Sequence, residues 1–198
     1  SSNSHKEQVN AIATTVMTHA ENFNAAAARI TATNNITDPF SIYFSVRGDS
    51  RTRTSSTGLF SKIGGGITEA FPPDLLGETP IPNNEWVFVV TDWIGMGANN
   101  GLNSDLLAMV QVSSETCQVI VNRTTPNDPT IYGVGLTWAF NGSSPYIAAS
   151  AALPLDYAYR VYPAPSWPVQ LSGQKTGCIH NTGSGVNSYW FYSVMFFT

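Results

Sequence analysis

Between Lys6 and about Thr33 the larger apolar residues fall at Val9, Ile12, Val16, Ala20, Phe23, Ala27 and Ile30, in steps of three and four. That spacing puts them along one side of an α-helix. Gln8, Thr15, Glu21, Asn22 and Arg29 fill the other side, no Gly or Pro interrupts the run, and Ala25 to Ala28 add helix propensity. Asn34-Asn35 and then Asp38-Pro39 supply the stop, because proline disfavours helical backbone at the residue before it. The pattern predicts an amphipathic helix over 6–33, about seven turns and about 42 Å long. Ser1 to His5 reads as a flexible start ahead of it.

Beyond this point the pattern changes. All twelve prolines and all sixteen glycines lie at or after Pro39, and the apolar runs shorten to strand length. Ser41 to Arg47 reads as a short strand, Asp49 to Ser61 as a polar surface loop, and Gly64-Gly65-Gly66 as a hinge or turn. Trp86 to Val90, within Asn84 to Thr91, and Ala108 to Val112 are β-favouring runs, separated by a Gly/Asn-rich loop at Gly95 to Asn103. Ser113-Ser114-Glu115 signals the start of a short helix over Thr116 to Asn122 with Cys117 on its first turn. Pro126 to Pro168 reads as irregular strands and loops. Ser188 to Phe197 is almost continuously apolar, which suits a strand buried on both faces near the middle of a sheet. The layout is α+β: a long N-terminal helix packed on an antiparallel sheet, with a disulfide-bounded C-terminal region. We read it as one domain over 1–198, with helix at 6–33, a connecting region at 34–85, and sheet with the closed C-terminal region at 86–198.

Composition adds constraints. The chain has 198 residues, of which 42% are hydrophobic and only 11% charged, enough to bury a core and too apolar for disorder. Net charge is −4 with no basic cluster, so a nucleic-acid footprint is absent. Ser, Thr and Asn number 20, 20 and 16 and supply surface polarity in place of charge, a bias typical of extracytoplasmic proteins. The two cysteines, Cys117 and Cys178, form no CxxC pair and no four-ligand zinc set. A single disulfide in an oxidising compartment is the plain reading. No stretch reaches the roughly 20 apolar residues of a membrane span.

Candidate chemistry is sparse. Gly95-Met96-Gly97-Ala98-Asn99-Asn100-Gly101 resembles a dinucleotide loop but has the wrong glycine spacing. Gly183-Ser184-Gly185 is not a nucleophile elbow, and His180 is the sole histidine outside the start and the helix. No paired carboxylates stand in contrasting contexts. Catalytic residues, cofactors and metal ligands are therefore assigned to none. Trp138, Tyr146, Tyr157, Tyr159, Tyr162 and Trp167 are either core residues or an exposed platform for a sugar. Asn35, Asn122 and Asn141 each head an N-x-Ser/Thr sequence.

The long helix at Lys6 to Ile30, the segment Leu107 to Val121 with Cys117, the partner Cys178 and the closing apolar run together resemble the globular domain of a type IV pilin, closest to the type IVb branch. The likeness extends to Phe71 to Trp86, similar to the connection before the pilin sheet, although Asn83-Asn84-Glu85 replaces its glycine-rich turn. The resemblance implies a filament subunit without catalysis, lacking the leader and the first apolar half of the spine helix. It implies that the helix face Val9, Ile12, Val16, Ala20, Phe23, Ala27 and Ile30 serves assembly. The implied partners are other pilin subunits, in a homo- or heteropolymer, and a host-cell or glycan receptor. Membrane contact would come only through the missing N-terminal segment, and the implied location is an extracellular pilus arising from an inner-membrane precursor. The alternatives are a minor pilin or tip adhesin, a secreted carbohydrate-binding module, and, with little behind it, a secreted hydrolase.

Overall fold

A computed structural model describes residues 2–37, 41–44, 51–68, 86–91, 105–135, 159–160, 168–182 and 187–196. The first element is helix α1, Ser2–Thr33. It begins four residues before the predicted start, so Ser2 to His5 are helical, and His5 Nε2 meets the Glu115 carboxylate. That contact joins residues 110 apart, a tertiary tie that local periodicity does not carry. The helix ends as the asparagine pair suggests. Asn35 adopts a left-handed φ of 50°, Ile36 N–H donates to the Thr31 carbonyl at 3.1 Å, and Ile36 packs against the core. This is a Schellman-type stop, in which asparagine tolerates the left-handed backbone.

The segment after it departs from expectation. Within 41–44 there is no strand, only one parallel bridge between Tyr43 and Gly58. The polar stretch contains a single helical turn, α2 (Arg51–Thr54), and its end is not surface: Leu59, Phe60 and Ser61 are buried. Two adjacent apolar residues are too short a run for periodicity to register, yet they are enough to drop the chain onto Phe23 of α1. The glycines at 64–66 form the expected turn, with Gly66 at φ 67°.

The sheet contains β1 (Val87–Thr91), β2 (Asp105–Val112), β3 (Tyr132–Val134), β4 (Tyr159–Arg160), β5 (Thr176–Asn181) and β6 (Ser188–Phe196). Their order across it is β3-β5-β6-β2-β1-β4. The four inner strands pair antiparallel, while the short β3 and β4 run parallel to β5 and β1 at the two edges. The sheet is thus mixed, not purely antiparallel as expected. Helix α3 (Ser114–Thr124) follows β2 directly and extends two residues beyond the predicted segment at each end. Ser113 caps it: its Oγ accepts the Thr116 N–H at 3.0 Å, satisfying a donor that the first turn leaves open.

One core joins α1, α3 and a face of the sheet. Val16, Phe23, Ala27 and Ile30 pack with Ala108, Val110, Val112, Phe191 and Ile120. The alternate sheet positions Leu107, Met109, Ile179, Trp190, Tyr192 and Val194 are also buried. Burial on both sides explains why β6 reads as unbroken hydrophobic sequence.

Candidate functional site

The two cysteines singled out from sequence meet. Cys117, on the first turn of α3, and Cys178, in β5, form a disulfide with Cα atoms 5.4 Å apart. Both are fully buried, so the bond staples α3 to the sheet from inside. Helix α3 is in turn fastened to α1. Arg123 in its last turn donates Nη1–H to Thr14 Oγ1 at 2.9 Å and Nη2–H to Asn10 Oδ1 at 2.9 Å, while His5 meets Glu115 at the first turn of α3. A guanidinium suits this bridge because its fork reaches two acceptors on successive turns. Nothing in the sequence around Arg123 announces it. The one usable signal is a cation in the last turn of a helix, a position that complements the dipole whether or not a partner waits.

All seven residues of the α1 stripe, Val9, Ile12, Val16, Ala20, Phe23, Ala27 and Ile30, lie in the interior, between 0% and 8% exposed. Their contacts are with this chain's own sheet, α3 and the Leu59-Phe60 segment. On the opposite side of α1, Ala11, Thr14, Thr18, Glu21, Ala25 and Ala28 are exposed. Ahead of Val9, residues 2–8 are exposed all round. Of the candidate surface aromatics, Trp138, Tyr146, Tyr157, Tyr162 and Trp167 lie outside the described residues, and Tyr159 is described only as backbone, paired with Val89. Asn141 and the Gly95 to Gly101 loop also lie outside them.

Among the titratable groups, Asp128 accepts hydrogen bonds from Tyr132 Oη at 2.5 Å and Thr130 Oγ1 at 2.7 Å. These donors hold its carboxyl below the ordinary range, and the Tyr132 phenol is raised because on ionising it would give up its hydrogen bond to Asp128 and meet the carboxylate's like charge. His180 stacks on Tyr189 with ring centroids 4.6 Å apart, and its Nε2 meets the Asn187 side-chain oxygen. An amide there offers a hydrogen bond but no charge, unlike the carboxylate that orients a triad base. Burial depresses the pKa of His19 on α1. Among the described residues no three His, Cys, Asp or Glu side chains gather as a metal site, and no helix is long and apolar enough to cross a membrane. No family model, curated protein or solved structure matches the chain.

Proposed function

We propose that the chain is the globular domain of a type IVb pilus subunit, a structural protein that assembles through its N-terminal helix into extracellular filaments used for adhesion or aggregation. The observation that carries this reading is the form of α1. Its apolar face is clamped against the core from Val9 to Ile30, while the side chains of 2–8 and of Ala11, Thr18, Glu21, Ala25 and Ala28 on the opposite face stay exposed. A helix held along one side and largely exposed along the other is a rigid handle by which copies can be joined. The Cys117–Cys178 staple and the Arg123 bridge support the same reading, since a subunit that bears load between neighbours benefits from cross-ties between helix and sheet. The disulfide is compatible with the oxidising environment that a surface filament occupies.

The test is assembly in the source cell. Filaments sheared from cells carrying a single added cysteine at the exposed Ala25 should contain this chain and give oxidation-dependent links between subunits. Deletion of the gene should abolish or shorten the filaments. Absence of the chain from sheared filaments, with filament number and length unchanged in the deletion, would overturn the proposal.

A further inference from the structure

The two ends of α1 are held by different forces. From Phe23 to Ile30 the helix is bound through buried apolar and aromatic contacts, which resist separation but carry little directionality. None of residues 2–8 is buried, so packing does not fix the course of the first two turns. What meets them instead is a polar seam on α3.

Arg123 donates to three acceptors on α1: Thr14 Oγ1 and Asn10 Oδ1, each at 2.9 Å, and the Asn10 carbonyl at 3.3 Å. The tie continues toward the start of the helix, because Asn10 Nδ2–H donates to the Lys6 carbonyl at 2.8 Å. Behind it, Thr14 Oγ1–H donates to the Asn10 carbonyl at 3.0 Å. Lys6, Asn10 and Thr14 stand four residues apart and so line one side of α1. Beside Lys6, His5 meets Glu115. Glu115 lies in the first turn of α3 and Arg123 in the last. Their partners follow in the same order along α1, so the two helices lie side by side and run the same way. Helix α3 is itself anchored. Cys117, in the same turn as Glu115, is bonded to Cys178 of β5, and Thr116 and Ile120 are fully buried.

We propose that α3 is the seat that sets the direction of the first turns of α1, with Arg123 and Glu115 as its positioning residues. A guanidinium held on three acceptors over successive turns fixes both the roll of the helix and its position along its axis, because hydrogen bonds are satisfied over a narrow range of angle and distance. An apolar contact of equal strength would hold the helix and leave its angle loose. In the filament reading above, on which this use of the seat rests, a fixed angle lets each copy offer α1 to the next in one orientation.

Spin labels on cysteines introduced at the exposed Asn3 and Lys175, with the Cys117–Cys178 bond kept oxidised, report the direction of the helix start against the sheet through their distance distribution. Labels at Ala28 and Lys175 report the packed end. Arg123→Ala should broaden the first distribution, leave the second as it is, and speed amide exchange at 3–10 about tenfold. Glu115→Ala should act in the same sense and more weakly, as an exposed pair does. Asn10→Ala removes one partner while improving helix propensity, so it should also broaden the first distribution, and it decides the matter if Arg123→Ala does not fold. An unchanged first distribution, or equal broadening of both, would overturn the proposal. At equal cellular levels of the chain, Arg123→Ala should also give fewer sheared filaments. A normal yield from a variant whose first distribution is broadened would overturn the use in assembly, whereas absence of the unsubstituted chain from filaments would strike the filament reading alone.

Discussion

Phe23→Ala is the sharpest probe of how α1 is held. The Phe23 ring is 3% exposed and meets three aromatic neighbours edge-on: Trp86 at 5.0 Å between centroids, Phe88 at 5.8 Å and Phe60 at 5.9 Å. Those partners come from β1 with the residue before it and from the segment that follows Gly58, so one side chain ties two distant stretches of chain to α1. Truncating a buried Phe to Ala costs about 3–5 kcal/mol, a range that already contains the lost edge-to-face contacts. With three rings left facing a void, a value near the middle, about 4 kcal/mol, is expected. For a chain of this size that corresponds to a fall in Tm of roughly 8–16 °C. Urea unfolding followed by circular dichroism, with the disulfide kept oxidised, measures it. Phe23→Leu, which keeps most of the volume, should cost under about 1.5 kcal/mol, and Thr18→Ala on the exposed side should stay within about 0.5 kcal/mol. A loss below about 1 kcal/mol for Phe23→Ala, with an unchanged denaturant slope, would refute the idea that this stripe belongs to the protein's interior.

Three further outcomes are expected. Replacing both Cys117 and Cys178 by Ala should lower stability by about 4 kcal/mol, the chain-entropy value for a loop closed across 61 residues; a melting temperature that does not respond to reductant would contradict it. Gly177→Ala should cost about 1–3 kcal/mol, because the new Cβ would lie 2.8 Å from Oη of the fully buried Tyr192, its partner across β5 and β6; a neutral effect in thermal denaturation would count against this close packing. Burial holds the folded-state pKa of His19 below its ordinary 6.5, so the unfolded chain takes up its proton first. The stability tied to neutral His19 is complete above that value and is lost as pH falls through the lower, folded one. The drop in Tm between neutral and mildly acid pH should shrink in His19→Gln, and an identical pH profile would refute the assignment.

Legibility in the sequence follows the range of the forces involved. Helix α1 is readable because its periodicity repeats from Val9 to Ile30 and its stop is chemical, at Asn34-Asn35. The start of α3 is readable because Ser113 supplies its own cap, and β6 because both of its faces are buried. Strand order is not readable: β6 lies between β2 and β5, and the pairing of Val110 with Phe191 joins residues 81 apart and leaves no local mark. Strands β3 and β4 are two or three residues long and gain their form from the neighbours they run beside. The buried Leu59-Phe60 pair is hidden inside a polar stretch for the same reason. Of the functional features, the disulfide is legible because the chain has only two cysteines. The Arg123 bridge is not, since it depends on α3 folding back against α1.

The central place of β6 constrains how the molecule can be made. Strands β1 and β2 on one flank and β3 and β5 on the other have no ladder in common until residues 188–196 slot between them. While the ribosome is still working upstream of Ser188, the nascent polypeptide exposes two open hydrogen-bonding margins lined with apolar side chains, an invitation to pair with the wrong strand. The two halves of the sheet therefore cannot be joined before the last of these strands in sequence has emerged.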